Sequence, residues 1–289
     1  MGPAEAATAF VLAGGGSLGA VEVGMLEALV AHGITPDFLV GTSVGAVNAA
    51  YFADRSDLVG VRALGKIWRG LRRSDVFPVN PLGGLLGLLG RRNHLLDPQP
   101  LRRLITRYLP YRDLEDAAIP VHVLAADILS GAEVVISSGP AVEAIMASSA
   151  IPAVFPPVER EGRYLVDGAV ANNTAISVAT ERGAGRVIVL PTGFTCELSA
   201  PPNSSVAMAL HAVNLMIARQ MVLDVERYGD VVELRIVPPL CPITTTPQDF
   251  SHAGELIDGA LKSTRRWIEE GGLERTVVPP QIRLHPHSL

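Results

Sequence analysis

Short apolar runs alternate along this chain with longer stretches in which apolar residues recur three or four positions apart. The short runs are typical of buried strands, and the periodic stretches are typical of helices. The predicted strands cover residues 9–13, 38–40, 121–127, 133–136, 164–166, 186–191 and 231–237. The predicted helices cover residues 20–32, 44–53, 98–109, 142–148, 174–182, 206–228 and 251–270.

This order of elements predicts an α/β fold. Strands that alternate with helices and are apolar along their whole length are typical of a mostly parallel central sheet covered by helices on both faces, a three-layer α/β/α sandwich. Two stretches, 78–97 and 195–205, have no clear period, yet neither divides the composition into unlike halves. We therefore expect a single domain over 1–289, with its core motifs in 9–190 and C-terminal helices and a tail in 206–289.

Composition narrows the class of protein. Apolar residues make up 48% of the 289 residues and charged residues 18%, which predicts a globular chain with a large core. A formal net charge of −5 argues against a nucleic-acid partner. Two cysteines, Cys196 and Cys241, are too few for a disulfide framework. Because no secretory signal or membrane-spanning stretch is recognisable, the expected location is cytoplasmic. No metal-binding spacing is seen, and no cofactor is expected.

The first candidate motif, Gly14-Gly15-Gly16-Ser17-Leu18-Gly19, lies between a predicted strand and a predicted helix. Glycines in this position let the backbone approach a ligand and direct its N–H groups toward it. The motif also fits the G-x-G-x-x-G pattern of dinucleotide-binding proteins, which requires an acidic residue at the end of the second strand. Asp37 begins that strand instead of ending it, so the nucleotide interpretation is disfavoured.

The second motif, Gly41-Thr42-Ser43-Val44-Gly45, has the pattern G-x-S-x-G directly after a predicted strand and directly before a predicted helix. A nucleophile elbow needs this context, in which the serine hydroxyl is presented above the sheet edge. A turn that merely caps the helix remains an alternative at this point.

A base for the serine is the next requirement. None of the seven histidines lies in a glycine-rich loop at the end of a predicted strand. Asp167 does end such a strand and is followed by Gly168 and Ala169, and active-site groups gather at the carboxyl ends of strands in open α/β sheets. Taken alone, however, an Asp-Gly pair is usually only a turn.

The three motifs in this order, GGGSLG, GTSVG and DGA, resemble those of the patatin-like phospholipase family. The resemblance covers about 9–190 and includes the stretches 147–152 and 155–157. It implies a catalytic dyad without histidine, in which Ser43 is the nucleophile and Asp167 is the base. It also implies an oxyanion hole built from the amides of Gly14, Gly15 and Gly16, with Gly19, Gly41, Gly45, Gly168 and Ala169 supporting the motifs. Leu18 stands where many relatives carry a basic residue.

The resemblance further implies hydrolysis of carboxylic esters of lipids, as by a phospholipase A, a lysophospholipase or a general esterase. An acyltransferase that uses the same acyl-serine, and a non-catalytic scaffold that binds lipid or a partner, are the alternatives. The expected partner is a lipid or a small acyl ester, and the oligomeric state is left open. Leucines beside paired arginines make 81–92 a candidate for peripheral membrane contact or for a lid over the active-site cleft.

Overall fold

The computed structural model describes residues 6–78, 92–193, 201–202, 205–274 and 278–282. Its strands are β1 Thr8–Leu12, β2 Phe38–Thr42, β3 Val121–Asp127, β4 Glu133–Ile136, β5 Val158–Arg160, β6 Arg163–Asp167, β7 Arg186–Leu190 and β8 Glu233–Ile236. Its helices are α1 Ala20–Ala31, α2 Val44–Asp54, α3 Leu58–Gly70, α4 Arg73–Val76, α5 Gln99–Tyr108, α6 Ala141–Ser148, α7 Ile176–Glu181, α8 Ser205–Tyr228 and α9 Ala253–Glu269. Every predicted strand and helix is present, with ends displaced by at most two residues.

The strands form one mixed sheet in the order β5-β6-β3-β2-β1-β7-β8, with β4 paired to β3 outside this path. Strands β3, β2, β1, β7 and β8 run parallel, and β4, β5 and β6 are antiparallel to their neighbours. The expected α/β fold with a mostly parallel sheet is therefore confirmed.

Alternate residues of β1 enter two separate apolar cores, one on each face of the sheet. Phe10 and Leu12 lie in the core that is covered by α1, α2, α3, α5, α6 and α9. Ala9 and Val11 lie in the core that is covered by α7 and α8. Because side chains alternate across a strand, this division is what an apolar strand between two helical layers requires.

Three elements were missing from the sequence prediction. Helix α3 contains Gly60 and Gly65, which lower helix propensity, but it buries Val61, Leu64 and Trp68 along one face. Its first turn is capped by the carboxylate of Asp57, which accepts hydrogen bonds from two backbone amides. The short helix α4 and the three-residue strand β5, which contains two charged residues, give no periodic apolar signal.

Two strands, β2 and β6, pair end to end along the same edge of β3. Residues Val121 to Leu124 of β3 pair with β2, and Ala125 to Asp127 pair with β6, while β4 pairs along the opposite edge. Because β2 runs parallel to β3 and β6 runs antiparallel, the carboxyl ends of β2 and β6 meet at the junction of Leu124 and Ala125. The residues that follow or end these two strands are thereby brought face to face.

Several expectations fall on parts of the chain outside the described residues. These are nearly all of the 81–92 segment, most of 78–97 and 195–205, Cys196, and much of the tail. Within the described ranges, none of the helices combines the length and the apolar content that crossing a bilayer requires.

Candidate active site

Ser43 alone makes the turn between β2 and α2, with φ 54° and ψ −122°. A positive φ is uncommon for any residue other than glycine and marks a strained backbone. The flanking glycines are required by close backbone contacts: a Cβ on Gly41 would lie 2.6 Å from Cα of Ala46, and one on Gly45 would lie 2.3 Å from the carbonyl oxygen of Leu12. The turn therefore has the geometry of a nucleophile elbow.

The hydroxyl of Ser43 meets the carboxylate of Asp167. Ser43 Oγ donates a hydrogen bond of 2.6 Å to Asp167 Oδ2, although 124 residues separate the two in the chain. Ser43 is 6% exposed and Asp167 is 4% exposed, so this contact is largely shielded from water. The junction on β3 explains the contact, because Ser43 directly follows β2 and Asp167 is the last residue of β6.

The second carboxylate oxygen of Asp167 is also held. Asp167 Oδ1 accepts a hydrogen bond of 2.9 Å from the amide of Ala169. Gly168 allows this turn, because a Cβ there would lie 2.5 Å from the carbonyl oxygen of Leu124. The Asp-Gly-Ala sequence thus fixes the orientation of the carboxylate relative to Ser43.

Burial changes the acidity of this carboxyl group. Desolvation raises the pKa of Asp167 to about 6, and the hydrogen bonds from Ser43 and Ala169 act in the opposite direction. A carboxylate with a raised pKa has a higher proton affinity than an exposed aspartate. This is the property that a base acting on a serine hydroxyl needs.

The glycine-rich loop lies against the elbow and is fastened by two polar side chains. The amide of Gly14 donates to Asn173 Oδ1 at 3.1 Å, and the carbonyl oxygen of Gly14 accepts from Thr192 Oγ1 at 2.9 Å. A Cβ on Gly15 would lie 2.3 Å from Thr192 Oγ1, so the loop approaches this side chain too closely for any other residue.

The three loop glycines do not play the same part in this conformation. In this conformation the amide of Gly14 donates to Asn173 Oδ1, and its role as an oxyanion donor stays a prediction. In the described part of the chain, no acceptor is found for the amides of Gly15 and Gly16. These two amides are the candidate oxyanion donors, and Gly14 serves to anchor the loop.

Two further side chains that sequence reasoning gave no role support the site. The amide of Ser43 donates to Ser148 Oγ at 2.8 Å, and Ser148 is the last residue of α6. Asn173 fastens the glycine loop. Ser148 lies in the 147–152 stretch that carried the family resemblance, and Asn173 follows shortly after the Asp-Gly-Ala motif. The motifs therefore point to the neighbourhood of both residues, but they do not predict the contacts that these residues make.

A buried carboxylic acid joins the helices that follow the loop and the elbow. Glu22 of α1 is fully buried, and its Oε2 accepts a hydrogen bond of 2.7 Å from Asn48 Nδ2 of α2. Asn48 also accepts from the indole nitrogen of Trp68 on α3 and donates to the carbonyl oxygen of Gly19. Burial raises the pKa of Glu22 well above its usual value, which favours the neutral form of this carboxyl group.

Among the described residues, the histidines that have hydrogen-bond partners contact groups other than Ser43 and Asp167. Their ring nitrogens lie beside Ala28 O for His32, Asn93 for His94, Ser137 for His122 and Glu255 for His252. The group that accepts the hydrogen bond of Ser43 is therefore a carboxylate and not an imidazole.

The fold and this arrangement define an α/β protein with a serine at a nucleophile elbow. Residues 10–180, more than half of the chain, match the family model described as patatin-like phospholipase. The chain belongs to the patatin-like phospholipase family, as its three motifs predicted.

Two curated relatives illustrate the match. Patatin-like phospholipase domain-containing protein 7 of Rattus norvegicus is 31% identical over 189 residues, which are 65% of this chain and 14% of the relative. Lysophospholipase NTE1 of Candida albicans is 27% identical over 187 residues, 65% of this chain and 13% of the relative. The chain therefore corresponds to a small part of these much longer proteins.

A solved structure is also similar. The crystal structure of VipD from Legionella pneumophila aligns with a TM-score of 0.48 and 15% sequence identity, covering 94% of this chain and 67% of that one.

Proposed function

We propose that this chain is a serine acyl hydrolase that cleaves carboxylic esters of lipids, with Ser43 as nucleophile and Asp167 as base. The observation that carries the proposal is the 2.6 Å hydrogen bond from Ser43 Oγ to the buried carboxylate of Asp167. Membership of the patatin-like phospholipase family supports the lipid ester as substrate class. The name of the matched lysophospholipase supports it as well.

In the first half of the reaction, Asp167 Oδ2 takes the hydroxyl proton while Ser43 Oγ attacks the carbonyl carbon of the ester. The carbonyl oxygen becomes an oxyanion, and the amides of Gly15 and Gly16 are the proposed donors to it. One oxyanion-hole donor typically contributes about 2.7–4 kcal/mol. The tetrahedral intermediate then expels the alcohol, which leaves with the proton held by Asp167, and an acyl-serine remains.

In the second half, a water molecule takes the place of the alcohol. Asp167 accepts a proton from this water as its oxygen attacks the acyl-serine carbonyl, and the same donors stabilise the second oxyanion. Collapse of this intermediate releases the carboxylic acid and returns the proton to Ser43 Oγ. One carboxylate therefore serves as base and acid in turn, as microscopic reversibility requires.

The strained backbone of Ser43 fits this role. The positive φ places the hydroxyl beyond the end of β2, and the hydrogen bond from its amide to Ser148 Oγ holds the turn. Because the turn is fixed by packing before substrate binds, little reorganisation is needed when Oγ attacks.

Labelling with a fluorophosphonate, followed by intact-mass measurement, tests the proposal without requiring the natural lipid. We expect one adduct on the wild type, none on Ser43→Ala, and labelling of Asp167→Asn slower by at least about two orders of magnitude, the typical contribution of a general base. Asp167→Asn should retain the fold, because the amide is close in size to the carboxylate.

Ser149→Ala is the matched control. Ser149 is nearly as buried as Ser43, but its hydroxyl has no hydrogen-bond partner within the described residues. This variant should label at the wild-type rate. A folded wild type that forms no adduct, or an adduct that survives in Ser43→Ala, would overturn the proposed nucleophile, and unchanged labelling of Asp167→Asn would overturn the proposed base.

A further inference from the structure

Helix α8 is much longer than the strands it connects. Its 24 residues extend about 36 Å at about 1.5 Å per residue, whereas the five residues of β7 span about 17 Å. Because β7 and β8 are parallel, α8 must run back from the carboxyl edge of the sheet to the amino edge. The last turn of α8 lies near the amino edge, because a tight turn joins Tyr228 to β8, and Glu233 at the start of β8 donates its amide to the carbonyl oxygen of Gly185.

The first half of α8 therefore extends past the carboxyl edge of the sheet, the edge at which Ser43 lies. Burial along the helix agrees with this geometry. Ala218, Met221 and Val225 in the second half are buried. Of the residues from 208 to 217 whose side chains are described, none is buried.

Several of the described side chains of this first half are apolar and exposed. Met208 is 44% exposed, Val213 is 46% exposed and Met216 is 70% exposed. The sequence from 205 to 218 contains no Asp, Glu, Lys or Arg, and Arg219 is the first charged residue of the helix. A helix that faces water ordinarily carries polar and charged residues on its outer face. Contiguous exposed apolar surface instead marks a site of interaction with another molecule or a membrane.

We propose that residues 208–218 of α8, the overhang, dock on the surface of a zwitterionic phospholipid bilayer and so bring the edge of the sheet that carries Ser43 to the lipid. Apolar helix faces enter the boundary between headgroups and acyl chains to a depth of about 5–10 Å. The absence of charge in the overhang favours neutral headgroups, because attraction to anionic lipid requires basic residues.

The position of the overhang favours a bilayer over a second copy of the chain. It lies on the same edge of the sheet as Ser43, so a second copy seated there would stand where an ester must enter. A bilayer at the same place would supply that ester. This argument rests on the proposed lipid hydrolase function, and the test is therefore arranged to measure binding separately from hydrolysis.

The test uses sedimentation with phosphatidylcholine vesicles, and the full chain carries Ser43→Ala so that no lipid is consumed. Val213→Glu together with Met216→Glu should lower the apparent affinity for the vesicles at least about tenfold, because two charges would have to enter the apolar boundary. Leu223→Glu is the matched control, since Leu223 is 56% exposed on the same helix but lies in its second half, alongside the sheet. This control should bind like the parent chain.

Two further measurements keep the outcomes distinct. Hydrolysis of a water-soluble short-chain ester, measured with Ser43 intact, should be equal in the wild type and the double variant; absence of hydrolysis in both would defeat the proposed function without touching the vesicle result. Absence of vesicle binding by the parent, or equal binding by all three chains, would overturn the docking proposal. So would a dimer in analytical ultracentrifugation that the double variant abolishes, because the overhang would then be an interface between two copies.

Discussion

The carboxyl group of Asp167 sets the pH range in which Ser43 can be activated. Its pKa is raised to about 6 by burial, and only the ionised form can accept the hydroxyl proton. Activity should therefore be lost as the pH falls through this value and should be fully present about one to two pH units above it.

This dependence gives the first prediction. We expect kcat/KM for a water-soluble ester to rise with pH, with a midpoint near the pKa of about 6, and then to reach a plateau. His122→Gln should leave the midpoint in place, because burial lowers the pKa of His122 to about 4 and its ring contacts Ser137. A midpoint that shifts in the histidine variant would contradict the assignment to Asp167.

A second buried carboxyl group, Glu22, should affect stability and not chemistry. Its pKa is raised in the folded state, so the folded chain holds a proton that the unfolded chain releases. Stability must then fall as the pH rises above the unfolded pKa, by up to about 1.4 kcal/mol for each pH unit until the folded pKa is reached.

Glu22→Gln removes this proton while keeping an oxygen that can accept from Asn48. We expect the free energy of unfolding of the variant to rise relative to the wild type as the pH rises above the unfolded pKa of about 4.3, as measured by urea denaturation at each pH. Glu269→Gln, an exposed position at the end of α9, serves as the control. Parallel pH profiles for wild type and Glu22→Gln would contradict the prediction.

At the scale of elements, the packing of β2, α2 and β1 leaves no space for a side chain at the elbow. Gly45→Ala should lower the free energy of unfolding by about 1–3 kcal/mol, the usual cost of overpacking, because the new Cβ would lie 2.3 Å from the carbonyl oxygen of Leu12. Gly70→Ala at the end of α3 is the control, since a Cβ there meets no atom within 4 Å. Equal unfolding midpoints for the two variants would contradict tight packing at the elbow.

The sequence predicted those elements whose local pattern is strong. Strands β1, β2 and β7 are short apolar runs, and they were found because burial on both faces removes polar residues. Strand β5 was missed because two of its three residues are charged, and α3 was missed because its glycines weaken a helix that tertiary packing nevertheless stabilises.

Motifs identified Ser43 and Asp167 but not the reason why they meet. The general rule that parallel strands bring their carboxyl ends to one edge does not apply to Asp167, because β6 is antiparallel to β3. Contacts such as Ser43 with Ser148, or Gly14 with Asn173 and Thr192, join residues more than 100 positions apart. No local sequence pattern encodes partners at that distance. A motif can therefore be recognised from the sequence although the side chains that hold it in place cannot.

At the scale of the whole molecule, the match to the family ends at residue 180, but the core does not. Helix α9 packs against α1 so closely that a Cβ on Gly24 would lie 2.2 Å from the carbonyl oxygen of Ile257. Leu256 and Ile257 are buried in the same core as Met25 and Leu26 of α1. We propose on this basis that the chain is a single domain, completed by its C-terminal helices.

Removal of residues 249–289 tests this proposal. The shortened chain should lose its cooperative unfolding transition, because the face of α1 that contacts α9 would be exposed to water. Calorimetry and circular dichroism during heating would measure the change. A shortened chain that unfolds in one sharp transition near the wild-type temperature would show that the part matching the family is a domain by itself.

Strand β3 sets the distance between Ser43 and Asp167, because β2 and β6 pair with it end to end along one edge. Neither strand touches the other along its length, so the gap between the serine and the carboxylate is set by the number of β3 residues that each strand occupies. One residue inserted between Leu124 and Ala125 would add about 3.3 Å to the 2.6 Å that now separates Ser43 Oγ from Asp167 Oδ2, and the hydrogen bond would be lost. Substitutions of side chains in β3 are therefore compatible with a working site, whereas insertions and deletions in β3 are not.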